Sequence, residues 1–246
     1  EAYLNAAIGC YNQQTTPGTY TINITQDIDL TASTTVINNA TSGVSLVIEG
    51  DGYAVDGQDT AGVRPFQIAA NTTVTMSRLT VTGGNVVGVN VNGGGILNDG
   101  NLTLINVTVA DNSVEDQGAG IFASGGNLTI NSSTISGNSS VGPGNSVGGG
   151  IYVQGGTATI RNSTISGNSA TDSGGGLANL VGTVSVESST IAYNSAPNGS
   201  GYMKFVSVGG TTFTNTILAA NSGGPDCDLS SLAAPPTDGG HNLVGT

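Results

Sequence analysis

Asparagine followed by serine recurs through this chain at near-regular steps: "NVTVADNS" from Asn106, "NSSTISGNS" from Asn131, "NSTISGNS" from Asn162, "SSTIAYNS" from Ser188 and "NTILAANS" from Asn215. The last Asn of each copy falls at Asn112, Asn138, Asn168, Asn194 and Asn221, in steps of 26, 30, 26 and 27 residues. A carboxamide both donates and accepts, and Asn tolerates left-handed backbone at bends. A column of such residues suits a structural ladder of stacked amides, not a reaction centre.

The other chemistry-bearing residues form no catalytic set. Four cations, Arg64, Arg78, Arg161 and Lys204, are scattered. No Asp or Glu is expected to repeat at one column of neighbouring repeats, as paired-carboxylate hydrolysis would need. Asp111, Glu115 and Asp116 read as a solvated acidic loop. The run "EGDGYAVDGQD" brings Glu49, Asp51, Asp56 and Asp59 close enough to raise a calcium hypothesis, but it matches neither calcium-binding loop spacing and reads equally well as Asp/Gly turns. His241 is the sole histidine and reads as a surface residue, which excludes a His-based triad or a multi-His metal site. No catalytic residue, metal site or cofactor is expected.

The chain of 246 residues has 40 Gly, no Trp, 8% charged residues and a net charge of −12. Such a surface repels nucleic acid and anionic membrane, so neither is an expected partner. No apolar run approaches a membrane-spanning length. The composition, poor in Lys and rich in Asn-X-Ser/Thr, leans towards an extracellular protein. Ten sequons occur, among them Asn23, Asn101, Asn127 and Asn162.

A second marker keeps step with the Asn column: "GGGI" at Gly93–Ile96, "GAGI" at Gly118–Ile121, "GGGI" at Gly148–Ile151, "GGGL" at Gly174–Leu177 and "GSGY" at Gly199–Tyr202. Repeats of this length signal a solenoid. Inside each repeat the period is two. Leu104, Ile130, Ile160 and Val186 share one column, and Val109, Ile135, Ile165, Ile191 and Leu218 another, while Thr alternates between them. The expected fold is all-β, a single right-handed parallel β-helix of about eight turns over residues 18–246, with residues 1–17 as an N-terminal cap containing one short helix. The excess of the 30-residue step lies in "SSVGPGNSV", a bulging loop.

The segments "GGGIYVQGGTATIRNSTISGNSA", "VIEGDG…VRPFQIAANTTVTMSRLTVTGGN" and "DC…GGHNLVG" resemble bacterial surface proteins with polymorphic outer-membrane-type repeats, most of all the choice-of-anchor Q group, over roughly residues 44–246. The resemblance implies a right-handed parallel β-helix, secreted or attached to the cell surface, with an adhesive or unassigned role. The chain departs from that group in its opening "EAYLNAAIGC", in having no second cysteine after "NLVG", and in showing none of the anchoring tail the resemblance leads one to expect.

Three surfaces are expected to face outward. Thr80, Thr108, Thr134, Thr164 and Thr190 would form a hydroxyl array able to order water as ice does. Leu97, Phe122 and Tyr152 would form an apolar ladder for glycan or protein, unless a loop covers it. The C-terminal turn would present open strand edges. Cys10 and Cys227, at opposite ends about 30–35 Å apart, cannot pair within one chain. Head-to-tail stacking of copies would bring them together as an intermolecular disulfide and make the chain a filament subunit. The expected function is therefore a non-catalytic extracellular structural or adhesive module that can self-assemble, with glycan binding or cleavage and ice binding as the alternatives.

Overall fold

The computed structural model describes residues 1–230 and 233–245. It is a parallel β-helix closed at its N-terminal end by one helix, Ala2–Asn12. Each regular course follows the path of residues 101–127. The strand Asn101–Ile105 is followed by a corner at Asn106, the strand Thr108–Ala110, a second corner at Asp111 and the short strand Ser113–Val114. A loop then leads to the strand Ile121–Ala123. The equivalent strands stack in parallel into sheets of nine, nine, four and seven members. There are nine courses where the periodicity predicts eight. The ninth rests on the two-residue strands Thr237–Asp238 and Leu243–Val244, too short to carry the alternation that marks the others.

Alternation decides which face is buried. On the first sheet Leu46, Val74, Leu102, Leu128, Ala158 and Val184 stack in one inward column, and Ile48, Met76, Leu104, Ile130, Ile160 and Val186 in the next. The second sheet adds Val55, Val81, Val109, Ile135, Ile165, Ile191 and Leu218. These belong to one continuous apolar core. Each course buries its apolar edge against the next, and the N-terminal helix does so for the first course. Leu4, Ile8 and Tyr11, at helical spacing, enter that core. The helix also supplies acceptors to the edge of the first course: Glu1 takes the Thr31 N–H (2.7 Å), Asn5 that of Thr35 (2.7 Å) and Asn12 that of Asn38 (2.9 Å).

Candidate functional site

The Asn residues sit at the second corner of each course, fully buried from Asn112 to Asn194. From Asn138 onward each Oδ1 accepts from the backbone N–H and the Nδ2 of the Asn one course earlier, at 2.9–3.0 Å throughout. The second Nδ2 proton goes to a backbone carbonyl of the preceding course, Ile135 in the case of Asn168 (2.9 Å). From Asn138 to Asn221 every amide is thus saturated and all point the same way. The ladder begins at the Gly84 N–H and ends on Asp226, a residue sequence reading does not single out. The Asp226 carboxylate accepts from Asn221 N (2.8 Å) and Nδ2 (2.6 Å) where a further Asn would stand.

The two repeat markers keep the same step because they touch. A Cβ on the third residue of each Gly marker would meet the Asn amide: one added at Gly120 would stand 2.9 Å from Asn138 Nδ2, and one at Gly176 2.9 Å from Asn194 Nδ2. A parallel hydroxyl ladder at the first corner also escapes sequence reading. The N–H groups of Val107, Ser133 and Ser163 donate to the hydroxyls of Ser133, Ser163 and Ser189 at 3.1–3.2 Å. Each hydroxyl donates in turn to the carbonyl two residues before it.

The predicted outward surfaces fare differently. Thr80, Thr108, Thr134, Thr164 and Thr190 do stand in register, half-exposed on the second sheet. Leu97, Phe122 and Tyr152 do stack in one column that faces away from the main core. They are not a free contact surface, however. Phe122 and Tyr152 are buried, stacked at 5.4 Å in a second apolar cluster with Val147, Ala178 and Met203, and Leu97 is half-buried against it. The covering residue Val147 ends the "SSVGPGNSV" loop, which Asp172 pins through the Ser146 N–H (2.8 Å). Burial pushes the Tyr152 phenol up to about 12.

Both cysteines are free. Cys10 is exposed on the helix. Cys227 stacks under Tyr202 in an inward column of the seven-stranded sheet, packed against the core. Burial first, then Asp228 and Asp226, pushes its thiol up to about 11. That inward setting speaks against Cys227 as half of an exposed intermolecular joint. Lys204, in the neighbouring strand Tyr202–Lys204, is buried. Its Nζ donates to the carbonyls of Leu180 (3.2 Å) and Val208 (2.9 Å), and desolvation lowers its pKa.

One acidic column does recur, contrary to the sequence reading. Asp29 and Asp56 are register partners on the first two courses, where the repeat is too irregular to align by eye. Gln58 ties them together, its Nε2 donating to Asp29 (2.9 Å) and its backbone N–H to Asp56 (2.7 Å). His241 is exposed at the left-handed first corner of the last course, in the column of Asn106, Asn162 and Asn215.

The clearest concave polar site is at the first corner of the first two courses. The third to eighth courses turn that corner in two residues, such as Arg78 and Leu79. The first two use four, residues 24–27 and 50–53. The extra residues leave a cavity of about 350 Å³ lined by Asn23, Ile24, Thr25, Glu49, Asp51, Tyr53 and Arg78. Arg78 bridges Glu49 (3.1 Å) and Asp51 (3.2 Å), and the Ser77 hydroxyl donates to Glu49 (2.7 Å). The Ser77 bond, then the Asp51 N–H and Arg78, hold the Glu49 carboxyl below its ordinary range against a desolvation that raises it. Thus two of the four acids in the proposed calcium run hold a guanidinium, and a third, Asp56, accepts from Gln58. Among the described residues no group of three or more metal-ligating side chains converges.

Among the described residues no helix is long and apolar enough to cross a membrane. Compared with known proteins, the chain matches no family model, no curated protein and no solved structure.

Proposed function

We propose that this protein is a non-catalytic, rigid module that works outside the cell, adhesive or structural in role, of the surface-protein kind its repeats resemble. The observation that carries this reading is the pair of side-chain ladders. Asn and Ser, which could have been reactive or ligand-holding groups, are spent joining each course to the next. They stiffen a wall whose outer faces are regular, small and uncharged over much of their area. Two pairs of neighbouring carboxylates are tied to other groups: Glu49 and Asp51 to Arg78, Asp29 and Asp56 to Gln58. Incubation with a panel of polysaccharides, read by mass spectrometry for products and by surface binding, tests the reading. Binding without products supports it; released oligosaccharides overturn the non-catalytic assignment.

A second reading, ice binding, has its own observation. The Thr column of the second sheet is joined on the first sheet by Thr75, Thr103, Thr129, Thr159, Ser185 and Thr212 in register. Hydroxyls repeat there at the strand spacing, about 4.8 Å. Thermal hysteresis and shaped ice crystals would favour this reading, and ice growth like that of an inert protein removes it.

A further inference from the structure

We propose that the corner cavity of the first two courses is a binding site for one residue of a neutral saccharide. The inference rests on the adhesive reading and supplies it with a ligand class.

The chemistry of the lining carries it. A sugar ring presents neighbouring hydroxyls, each able to donate and accept, beside an apolar C–H face. The cavity offers both complements. Arg78 spends Nε on Glu49 and Nη2 on Asp51, while Asp51 accepts through Oδ1. Among the described residues Nη1 of Arg78 and Oδ2 of Asp51 make no hydrogen bond, so a donor and an acceptor from one ion pair remain for adjacent hydroxyls. The Asn23 amide, on the strand beside Glu49, and the Thr25 hydroxyl are exposed and likewise uncommitted. Tyr53, 37% exposed, supplies an aromatic surface for the C–H face.

Glu49, Asp51 and Arg78 are tied to one another before a ligand arrives. Ser77 and Arg78 fix Glu49, and Glu49 receives the Asp51 N–H (3.4 Å). The Tyr53 backbone is clamped on both sides, its N–H donating to Gly50 and its carbonyl accepting from Thr80 (2.9 and 3.0 Å). Such preorganisation lowers the entropic cost of capture. Charge selects the ligand class: one guanidinium against two carboxylates, on a chain of net charge −12, disfavours uronates, sialylated sugars and phosphates.

The test uses the whole chain and the methyl glycosides of glucose, galactose and mannose, with saturation-transfer NMR and titration. The expected result is millimolar binding of at least one glycoside. Tyr53→Ala should weaken it at least tenfold, Tyr53→Phe should retain it, and Asp51→Asn should weaken it several-fold. Asn tolerates the left-handed backbone of that position (φ 48°), so loss in Asp51→Asn would not reflect a refolded corner. Melting temperatures should match the parent. If no neutral glycoside binds, the site assignment falls, and binding to polysaccharide surfaces still decides the adhesive reading. If glycosides bind equally to parent and variants, the saccharide site lies elsewhere: this proposal falls and the adhesive reading stands.

Discussion

At the scale of single residues, the Asn ladder concentrates stability in a few amides. Asn168→Ala would leave the Asn138 N–H and Nδ2 without their acceptor, and would strip donors from the Ile135 carbonyl and Asn194 Oδ1. Buried orphans cost about 1–3 kcal/mol each, partly relieved if water enters the space. The expected loss is about 3 kcal/mol in urea unfolding; a loss under about 0.5 kcal/mol would mean that the ladder is ornamental. Asp226 makes a sharper contrast. Asp226→Asn keeps an acceptor for Asn221 and should change stability little, whereas Asp226→Ala should cost about 1–3 kcal/mol. Cys227 gives a pH signature. Its thiol is raised in the folded chain, so folding favours the protonated form. Stability from this group is present at neutral pH and lost as pH rises from about 9 to about 11. Cys227→Ala should flatten that alkaline loss. In the parent at pH 8, iodoacetamide should label exposed Cys10 well before Cys227, since only about one Cys227 thiol in a thousand is ionised there. Equal labelling would place Cys227 outside the core.

At the scale of elements, strands and columns were legible because each inward position repeats in register. The period-two alternation places Leu104 over Ile130 and Ile160 without any structure. Two features resisted reading, for different reasons. The first two courses turn four-residue corners and lack the Asn and Gly markers, so no motif aligns the 27-residue spacing of Asp29 and Asp56 or points to the cavity of Tyr53. The burial of Phe122 and Tyr152 depends on where a loop lands, and alternation reports only that they face away from the bore. What could have hinted at it is Val147, an apolar residue closing a polar loop just before "GGGI". The cover has a measurable consequence. Phe122→Ala should cost about 3 kcal/mol in equilibrium unfolding although its ring lies outside the main core, as expected for a buried aromatic. An exposed contact ladder would give a change within about 0.5 kcal/mol.

At the scale of the whole molecule, the question is whether copies stack end to end. Geometry offers a partial fit: the last course exposes Leu243 and Val244 and leaves a cavity lined by Phe213, Leu218 and Cys227. Charge opposes it. The helix end carries Glu1, Asp27 and Asp29, and the far end Asp226, Asp228 and Asp238, so a head-to-tail joint sets acid against acid. The helix also covers the core of the first course, which removes apolar surface a second copy would otherwise bury. Repulsion of this kind is screened within about 30 Å at 10 mM salt and within about 8 Å at 150 mM. Stacking must therefore strengthen with ionic strength, and it cannot depend on a Cys10–Cys227 bond while Cys227 faces inward. Sedimentation and electron microscopy should find single rods at low salt, with any longer rods growing in as salt rises and surviving reductant. Rods that vanish on reduction would restore the disulfide joint and require Cys227 to turn outward. Single particles at every ionic strength would remove self-assembly from the proposed role and leave the faces and the corner cavity as the functional surfaces.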